Sequence, residues 1–166
     1  MKAENASGWC EPSELNELRA AAKAAKEPFV EIGSYLGRST LALAEHGVVY
    51  AIDPHLDYDS WEKFRENTRD NPNVRPIRKK SADAIADVPT EIGLLFIDGD
   101  HSYDGVRADL LNYVYRLRPR GYLILHDYAG SGSQPTQDAL DSFEMVFGRK
   151  ITKLHVTGRT FVGVVE

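Results

Sequence analysis

Apolar residues in this chain fall into short runs, each cut off by glycine, proline or an acidic residue, and the stretches between the runs repeat at helical rather than alternating spacing. The clearest run is Ile92-Gly93-Leu94-Leu95-Phe96-Ile97, apolar on both faces, which predicts a strand covered from both sides. Phe29 to Ile32, Val48 to Ile52, Val74 to Arg78 and Tyr122 to Leu125 read as further strands. Between them, Leu15 to Lys26 reads as a helix capped by Ser13 and stopped by Pro28, and Arg38 to Glu45 and Ser60 to Asp70 read as two more. Ser81 to Ala86 is a short helical turn, and Val106, Leu110, Leu111, Val114 and Leu117 recur at helical spacing until Pro119 and Gly121 are expected to break the chain.

Strands alternating with helices imply a parallel sheet with helices on both faces. After the loop Ala129 to Ser133, a helix from Gln134 to Phe147 leads to two last apolar runs, Ile151 to Val156 and Arg159 to Val165. Only Thr157 and Gly158 separate them, too few residues for a parallel crossover, so they should form an antiparallel hairpin. The expected fold class is α/β: a Rossmann-like, doubly wound, mostly parallel sheet of seven strands with a C-terminal antiparallel hairpin. Residues 1–27 form an N-terminal helical segment and 28–166 the core of one domain, with the loop at 129–135 expected to act as a mobile lid.

Composition narrows the function. At 166 residues the chain is long enough to bury roughly 70% of its unfolded surface without staples. Lys and Arg number 20 against 25 Asp and Glu, a formal charge of -5, which argues against nucleic acid or an anionic membrane and for a small ligand. The basic run Arg75-Pro76-Ile77-Arg78-Lys79-Lys80 has no interleaved aromatics and reads as a solvated face. Cys10 is the single cysteine, so no internal disulfide or cysteine-based zinc site is expected, and a reducing compartment, the cytoplasm, follows. Lys2, Glu4, Glu11 and Glu14 interrupt the N-terminus, and no apolar run is long enough for a signal peptide or a membrane helix.

The candidate chemistry lies just beyond the strands, where open α/β sheets bind ligands. Glu31 ends the first strand, and Gly33 and Gly37 flank Ser34 and Tyr35 in the turn into a helix. That spacing is not the GxGxxG of a dinucleotide site, and Glu31 would repel a pyrophosphate while accepting hydrogen bonds from an amino-bearing ligand. Asp53 ends the second strand, where an acidic side chain can hold both ribose hydroxyls; Ser81-Ala82-Asp83 can border a base, and His55 can line the nucleoside. Asp98, with Asp127 after the adjacent strand about 4.8 Å away, can converge on a divalent cation such as Mg²⁺, and the neighbouring His126 leaves the metal's identity open. His101 is placed to act as general base toward a hydroxyl. Each also has a plainer reading, as turn starter, helix cap or loop support. A non-catalytic nucleoside-binding module, a metal-dependent phosphoesterase and an NAD-linked oxidoreductase would each use only some of these residues.

From Phe29 to the terminal hairpin the chain resembles class I S-adenosylmethionine-dependent methyltransferases, and within them the metal-dependent catechol and macrolide sugar O-methyltransferases. The resemblance is carried by Val30-Glu31-Ile32-Gly33-Ser34-Tyr35-Leu36-Gly37-Arg38-Ser39, by Tyr50-Ala51-Ile52-Asp53-Pro54-His55, by Ser81-Ala82-Asp83, and by Phe96 to Asp109 followed by Leu117 to Tyr128. It implies S-adenosylmethionine held by Glu31, Gly33, Ser34, Tyr35, Gly37, Ser39, Asp53, Pro54, His55, Ser81, Ala82, Asp83, Asp98, Asp100 and His101. It implies His101 and Asp98 as catalytic residues, and Mg²⁺ or another divalent cation on Asp98, His126 and Asp127. Where relatives carry Asp-Asn or Glu-Asp after the fifth strand, this chain has His126-Asp127. The implied acceptor is a small molecule with a catechol, diol or sugar-like hydroxyl. The chain is short for the family, which leaves a homo-oligomer or a partner to complete the acceptor pocket.

Overall fold

A computed structural model describes residues 1–147 and 150–166. Strands β1 (Phe29–Ile32), β2 (Val49–Ile52), β3 (Val74–Ile77), β4 (Ile92–Ile97), β5 (Leu117–Leu125), β6 (Ile151–Thr157) and β7 (Thr160–Val165) form one seven-stranded sheet in the order β3-β2-β1-β4-β5-β7-β6. The first five strands run parallel, and β7 lies antiparallel between β5 and β6. Strand order reverses between β1 and β4, so the crevice beyond their carboxyl ends is the topological switch point.

Five helices cover the sheet: α1 (Pro12–Ala24), α2 (Arg38–Leu43), α3 (Tyr58–Thr68), α4 (Tyr103–Tyr113) and α5 (Gln134–Phe147). Alternation along the strands sorts their side chains into two layers. Val30, Ile32, Leu95 and Ile97 pack with Val106, Leu110 and Tyr113 of α4 and Phe143 of α5. Phe29, Leu94 and Phe96 pack on the other face with Leu15 and Leu18 of α1, Leu41 of α2 and Phe64 of α3. At the entry to β4, Gly93 lets the strand pass the end of the N-terminal segment, because a Cβ there would lie 1.6 Å from the Lys26 carbonyl oxygen. Among the described residues no helix is long and apolar enough to cross a membrane.

Several boundaries differ from the sequence expectation for local reasons. Helix α1 starts at Pro12, which needs no hydrogen-bonded N–H in the first turn, and Ser13 lies inside that turn. The start is closed instead by Glu14, whose carboxylate accepts from the Glu11 N–H at 2.9 Å. Helix α3 begins at Tyr58, capped by Asp57 accepting from the Ser60 N–H at 2.6 Å. Ser81 to Ala86 resolves into two 3-10 turns, Ser81–Asp83 and Ile85–Asp87. Pro119 and Gly121 do not break β5: the strand starts at Leu117 and absorbs them in a register irregularity opposite Ile92 and Leu94, with Arg120 at φ 64. The base of the loop at 129–135 is tied to the hairpin turn, since Tyr128 and Ala129 donate to the Arg159 carbonyl at 2.9 and 3.4 Å.

Phe96 is fully buried at the centre of the sheet between Glu31 and Ile124. Phe96→Ala is expected to cost about 3–5 kcal/mol of stability by urea denaturation; a loss below about 1 kcal/mol would mean that this strand is not the core of the sheet.

Candidate functional site

The site begins where the apolar strands run out. Gly33 adopts φ +90 and donates to the Ile52 carbonyl at 2.8 Å, and a Cβ on it would meet the Asp98 carbonyl oxygen at 2.1 Å. Only glycine lets the turn after β1 cross between the ends of β2 and β4. Gly37, in the left-handed region, then starts α2. Asp53, at the end of β2, is held by two backbone donors: Oδ2 accepts from the Tyr35 N–H at 2.9 Å and Oδ1 from the His55 N–H at 2.7 Å. The glycine turn and the acidic strand end are therefore one rigid unit.

Beneath this turn Glu31 is wholly buried. Its Oε2 accepts from the Thr40 hydroxyl, while among the described residues Oε1 and the buried Ser34 Oγ have no hydrogen-bond partner. Burial pushes the Glu31 carboxyl up to about 8; the Ser39 and Thr40 hydroxyls relieve only part of that, and Asp98 and Asp53 add to it. One carboxyl oxygen and one hydroxyl, buried and unpartnered, are atoms that a polar ligand can satisfy.

A cleft of about 570 Å³ runs from Gly33, Tyr35 and Asp98 past Asp53, Pro54 and Leu56 to Ser81, Ala82 and Asp109. Asp100 and Gly105 line its α4 side. A smaller recess of about 30 Å³ shares Trp9, Gly33, Tyr35 and Asp98 with it and adds Cys10, Ser34, Arg38 and Ser39. Cleft and recess together form one elongated, mostly apolar groove with carboxylates placed along it.

On the β5 side of Asp98 lies a charged cluster. His126 Nδ1 is 3.0 Å from Asp98 Oδ1 and 3.3 Å from Asp127 Oδ1, and its Nε2 is 3.4 Å from Glu14 Oε2. Burial by itself would depress the imidazole, but the Asp98 hydrogen bond and the charges of Asp98, Glu14 and Asp127 outweigh it and lift His126 to about 9. Glu14 is buried too; burial raises its carboxyl, yet the Glu11 and Arg159 N–H donors and His126 hold it below the ordinary range. It also accepts from Arg159 N at 2.8 Å and Thr160 Oγ1 at 3.2 Å, fastening the β6–β7 turn to α1. Arg159 Nη2 then sits 2.7 Å from Asp127 Oδ1, and His101 Nδ1 lies 3.1 Å from Asp127 Oδ2 at the half-exposed rim.

The structure thus gathers Gly33, Tyr35, Asp53, Pro54, Ser81, Ala82, Asp98 and Asp100 along the cleft, and Ser34 and Ser39 in the recess. It does not bring every expected residue there. His55, at φ 43, is buried against Trp61 and Phe64 with ring centroids 5.2 Å away, and only its neighbours line the cleft. Asp83 is exposed on its 3-10 turn and lines neither cavity. Glu31 lies under the turn rather than in the wall, and His101 belongs to the charged cluster, not to the cleft. Four residues escaped the sequence reading: Trp9, Glu14, Asp109 and Arg159. Glu14 and Asp109 were hidden inside helical patterns, and Arg159 reads simply as the start of a strand. The hint available was the cost of placing Asp109 one residue before the apolar Leu110, on a helix face that is otherwise core.

Comparison with known proteins fits this geometry. A family model described as a methyltransferase domain matches residues 30–128. An uncharacterised protein of Acanthamoeba polyphaga mimivirus is 30% identical over 112 residues, covering 60% of this chain and 51% of its own length, so the chain spans about half of that relative. Among solved structures, the O-methyltransferase NovP superposes with a TM-score of 0.77 at 18% identity, over 90% of this chain and 78% of its own. An O-methyltransferase from Bacillus cereus, solved in complex with SAH, gives 0.77 at 17% identity over 95% and 83%. With its matched segment running from β1 through the residues after β5, the chain belongs to the methyltransferase domain family and carries the class I S-adenosylmethionine-dependent methyltransferase fold.

Proposed function

We propose that the protein transfers a methyl group from S-adenosylmethionine to a hydroxyl of a small molecule. The observation that carries this reading is the pairing of Asp53 with the Gly33 turn beside a cleft of about 570 Å³. Asp53 keeps free lone pairs on both oxygens for the ribose hydroxyls, because the Tyr35 and His55 N–H groups use one each. The methionine end would then lie in the recess, its ammonium drawn to the orphaned Glu31 carboxyl and its polar atoms to Ser34 and Ser39. The sulfonium methyl would emerge near Asp98, facing the cluster around His101 and Asp127.

Methyl transfer is an in-line displacement: the acceptor oxygen forms the new O–C bond, the S–C bond breaks with its electron pair staying on sulfur, and the hydroxyl proton leaves to a base. Alignment of the two substrates supplies most of the acceleration. Asp127, facing His101 Nδ1 at 3.1 Å, favours a proton on that nitrogen and leaves Nε2 to accept the hydroxyl proton. Arg159, held by its backbone on Glu14, holds the Asp127 carboxylate in place at 2.7 Å. A divalent ion would find one atom each of Asp98, His101 and Asp127 within 4.8 Å of one another. Two carboxylates and an imidazole suit Mn²⁺ or Zn²⁺ better than Mg²⁺, and such an ion, when bound, would supply Lewis-acid polarisation of an acceptor oxygen. His126, the third metal residue implied by the resemblance, is already engaged between Asp98 and Glu14.

Titration calorimetry should give saturable binding of S-adenosylmethionine and S-adenosylhomocysteine and none of NAD. Asp53→Ala should weaken that binding about 10- to 100-fold, the worth of charge-assisted hydrogen bonds. Unaltered affinity in this variant would remove the basis of the reading. With a panel of catechols, vicinal diols and sugars as acceptors, His101→Ala should lower kcat by about 10²–10⁴ while leaving donor affinity intact; equal turnover with and without His101 would exclude it as the base.

The buried charges also set a pH dependence. Glu31 and His126 both bind protons more tightly in the folded chain than in the unfolded one. Their contributions are therefore complete below the unfolded values and are lost as pH rises through about 8 for Glu31 and about 9 for His126. The ligand-free protein should melt at progressively lower temperature as pH is raised from about 6 to about 9. Glu31→Gln should flatten the lower part of that slope, measured by scanning calorimetry; a melting temperature that climbs across this window would contradict the assignment.

A further inference from the structure

Three buried side chains beside Asp98 face one another and take no direct part in the methyl transfer described above. Cys10, just before α1, Glu14 in its first turn and His126 after β5 are 5%, 2% and 5% exposed. One atom from each, the Cys10 Sγ, a Glu14 carboxylate oxygen and a His126 ring nitrogen, lies within 4.8 Å of the other two. Cys10 packs in the α1–α3 layer, where a cysteine is ordinarily a small apolar filler. Its sulfur nevertheless stands beside a carboxylate and an imidazole.

Each of the three is held from outside the cluster. The Cys10 carbonyl accepts from Arg38 Nε at 2.9 Å, and Arg38 Nη1 reaches the Ala6 carbonyl at 2.8 Å, so the segment before α1 is anchored to α2. Glu14 is fixed by the Glu11 and Arg159 N–H groups and by the Thr160 hydroxyl. His126 is fixed at its backbone by the Ile97 carbonyl and at its ring by Asp98, whose Oδ1 lies 3.0 Å from Nδ1. A carboxylate at Nδ1 keeps a proton on that nitrogen and leaves Nε2, 3.4 Å from Glu14 Oε2, as the nitrogen able to bind an ion. Carboxylate–imidazole pairs of this kind orient the histidines that hold metals.

We propose that Cys10, Glu14 and His126 Nε2 form a binding site for a thiophilic divalent cation, Zn²⁺ foremost, separate from the cluster of Asp98, His101 and Asp127. Thiolate, imidazole and carboxylate are the donors of tetrahedral zinc, and the thiolate disfavours Mg²⁺ and Ca²⁺. The charges balance: displacing the thiol proton and the Nε2 proton removes two positive charges and the ion restores them, so the buried cluster keeps its net charge. A water completes the coordination from the recess of about 30 Å³ that Cys10 and Asp98 both line, which has room for one molecule. An ion held in this way ties the segment before α1 to the end of β5.

The test is titration of the metal-free full chain, kept reduced by a phosphine, with Co²⁺ as a spectroscopic substitute for Zn²⁺. The wild-type chain should develop a near-ultraviolet thiolate-to-cobalt charge-transfer band that saturates at one Co²⁺ per chain, and Zn²⁺ should bleach it. C10S should lose the band. H126Q, whose amide still donates between Asp98 and Glu14 but is a poor ligand, should bind the ion more than about 100-fold less tightly, beyond the worth of an outer-shell partner. H101A, which takes a residue from the other cluster, should keep both band and affinity. X-ray absorption of the zinc-loaded wild-type chain needs no variant to fold and should show one sulfur neighbour together with imidazole. Absence of the band overturns the proposal, as does saturation at half an ion per chain, the mark of cysteines from two copies sharing it. An affinity unchanged in a folded H126Q, or a zinc shell without sulfur, overturns it equally. None of these readouts depends on the methyl donor.

Discussion

The parallel pairing of β1, β4 and β5 is the constraint on which everything else rests. Glu31 pairs with Phe96 and Phe96 with Ile124, and one step on, Ile32 pairs with Ile97 and Ile97 with Leu125. These strands are buried on both faces, so a slip by one residue would exchange the α4–α5 layer for the α1–α3 layer along a whole strand. The register is therefore fixed by packing, and it brings the first polar residues beyond the strands to one edge of the sheet: Gly33, Asp98 and His126. Asp98 N donates to the Ile32 carbonyl and His126 N to the Ile97 carbonyl, each at 2.8–3.0 Å, extending the ladder one residue into the site. The backbone of Asp98 and His126 thus continues the sheet into the site.

A second tier of organisation comes from Glu14. Helix α1 and the β6–β7 hairpin stand far apart in sequence, and the buried Glu14 carboxylate joins them by accepting from the Arg159 backbone and the Thr160 hydroxyl, while Glu17 accepts from the Thr157 hydroxyl at 3.1 Å. Gly158, at φ +58, keeps the hairpin turn close, for a Cβ there would lie 2.8 Å from Glu14 Oε1. The same carboxylate faces His126, so acidic and basic groups alternate from Glu14 through His126 to Asp98, and from Arg159 through Asp127 to His101. Breaking a buried network of this kind at one member leaves its neighbours charged and unpartnered, which is why removal of one partner costs more than the pair contributes.

Strand identity, the terminal hairpin and the strand-end chemistry could be read from the sequence because they rest on local patterns: apolar runs, the short turn between the last two, and polar residues that directly follow the strands; the order of strands in the sheet is set by tertiary pairing. Asp53, Asp98, Ser81 and the Gly33 turn were legible for that reason. Pro119 and Gly121 misled because a strand opposite an irregular edge can absorb them, a property of the partner Ile92–Leu94 segment rather than of the residues themselves. His55 follows an acidic strand end, yet its left-handed backbone turns the ring onto Trp61 and Phe64. Glu14, Asp109 and Arg159 act through contacts formed only by tertiary folding, and within their own segments each looks like an ordinary helix or turn residue.

The two ends of the cleft share a physical feature that ties ligand binding to folding. Glu31 beneath one end and Asp109 at the other are buried carboxyls that burial raises to about 8 and about 6. Between them Asp53 has its backbone donors in place and both oxygens still able to accept. Three carboxyls thus line or underlie the cleft, and the burial of two of them is a local sacrifice of stability of the kind binding sites carry. A ligand with an amine at one end and vicinal hydroxyls beyond it would satisfy Glu31 and Asp53 at once. Because it would bind only the folded arrangement, its binding free energy adds to the stability of the sheet that built the site.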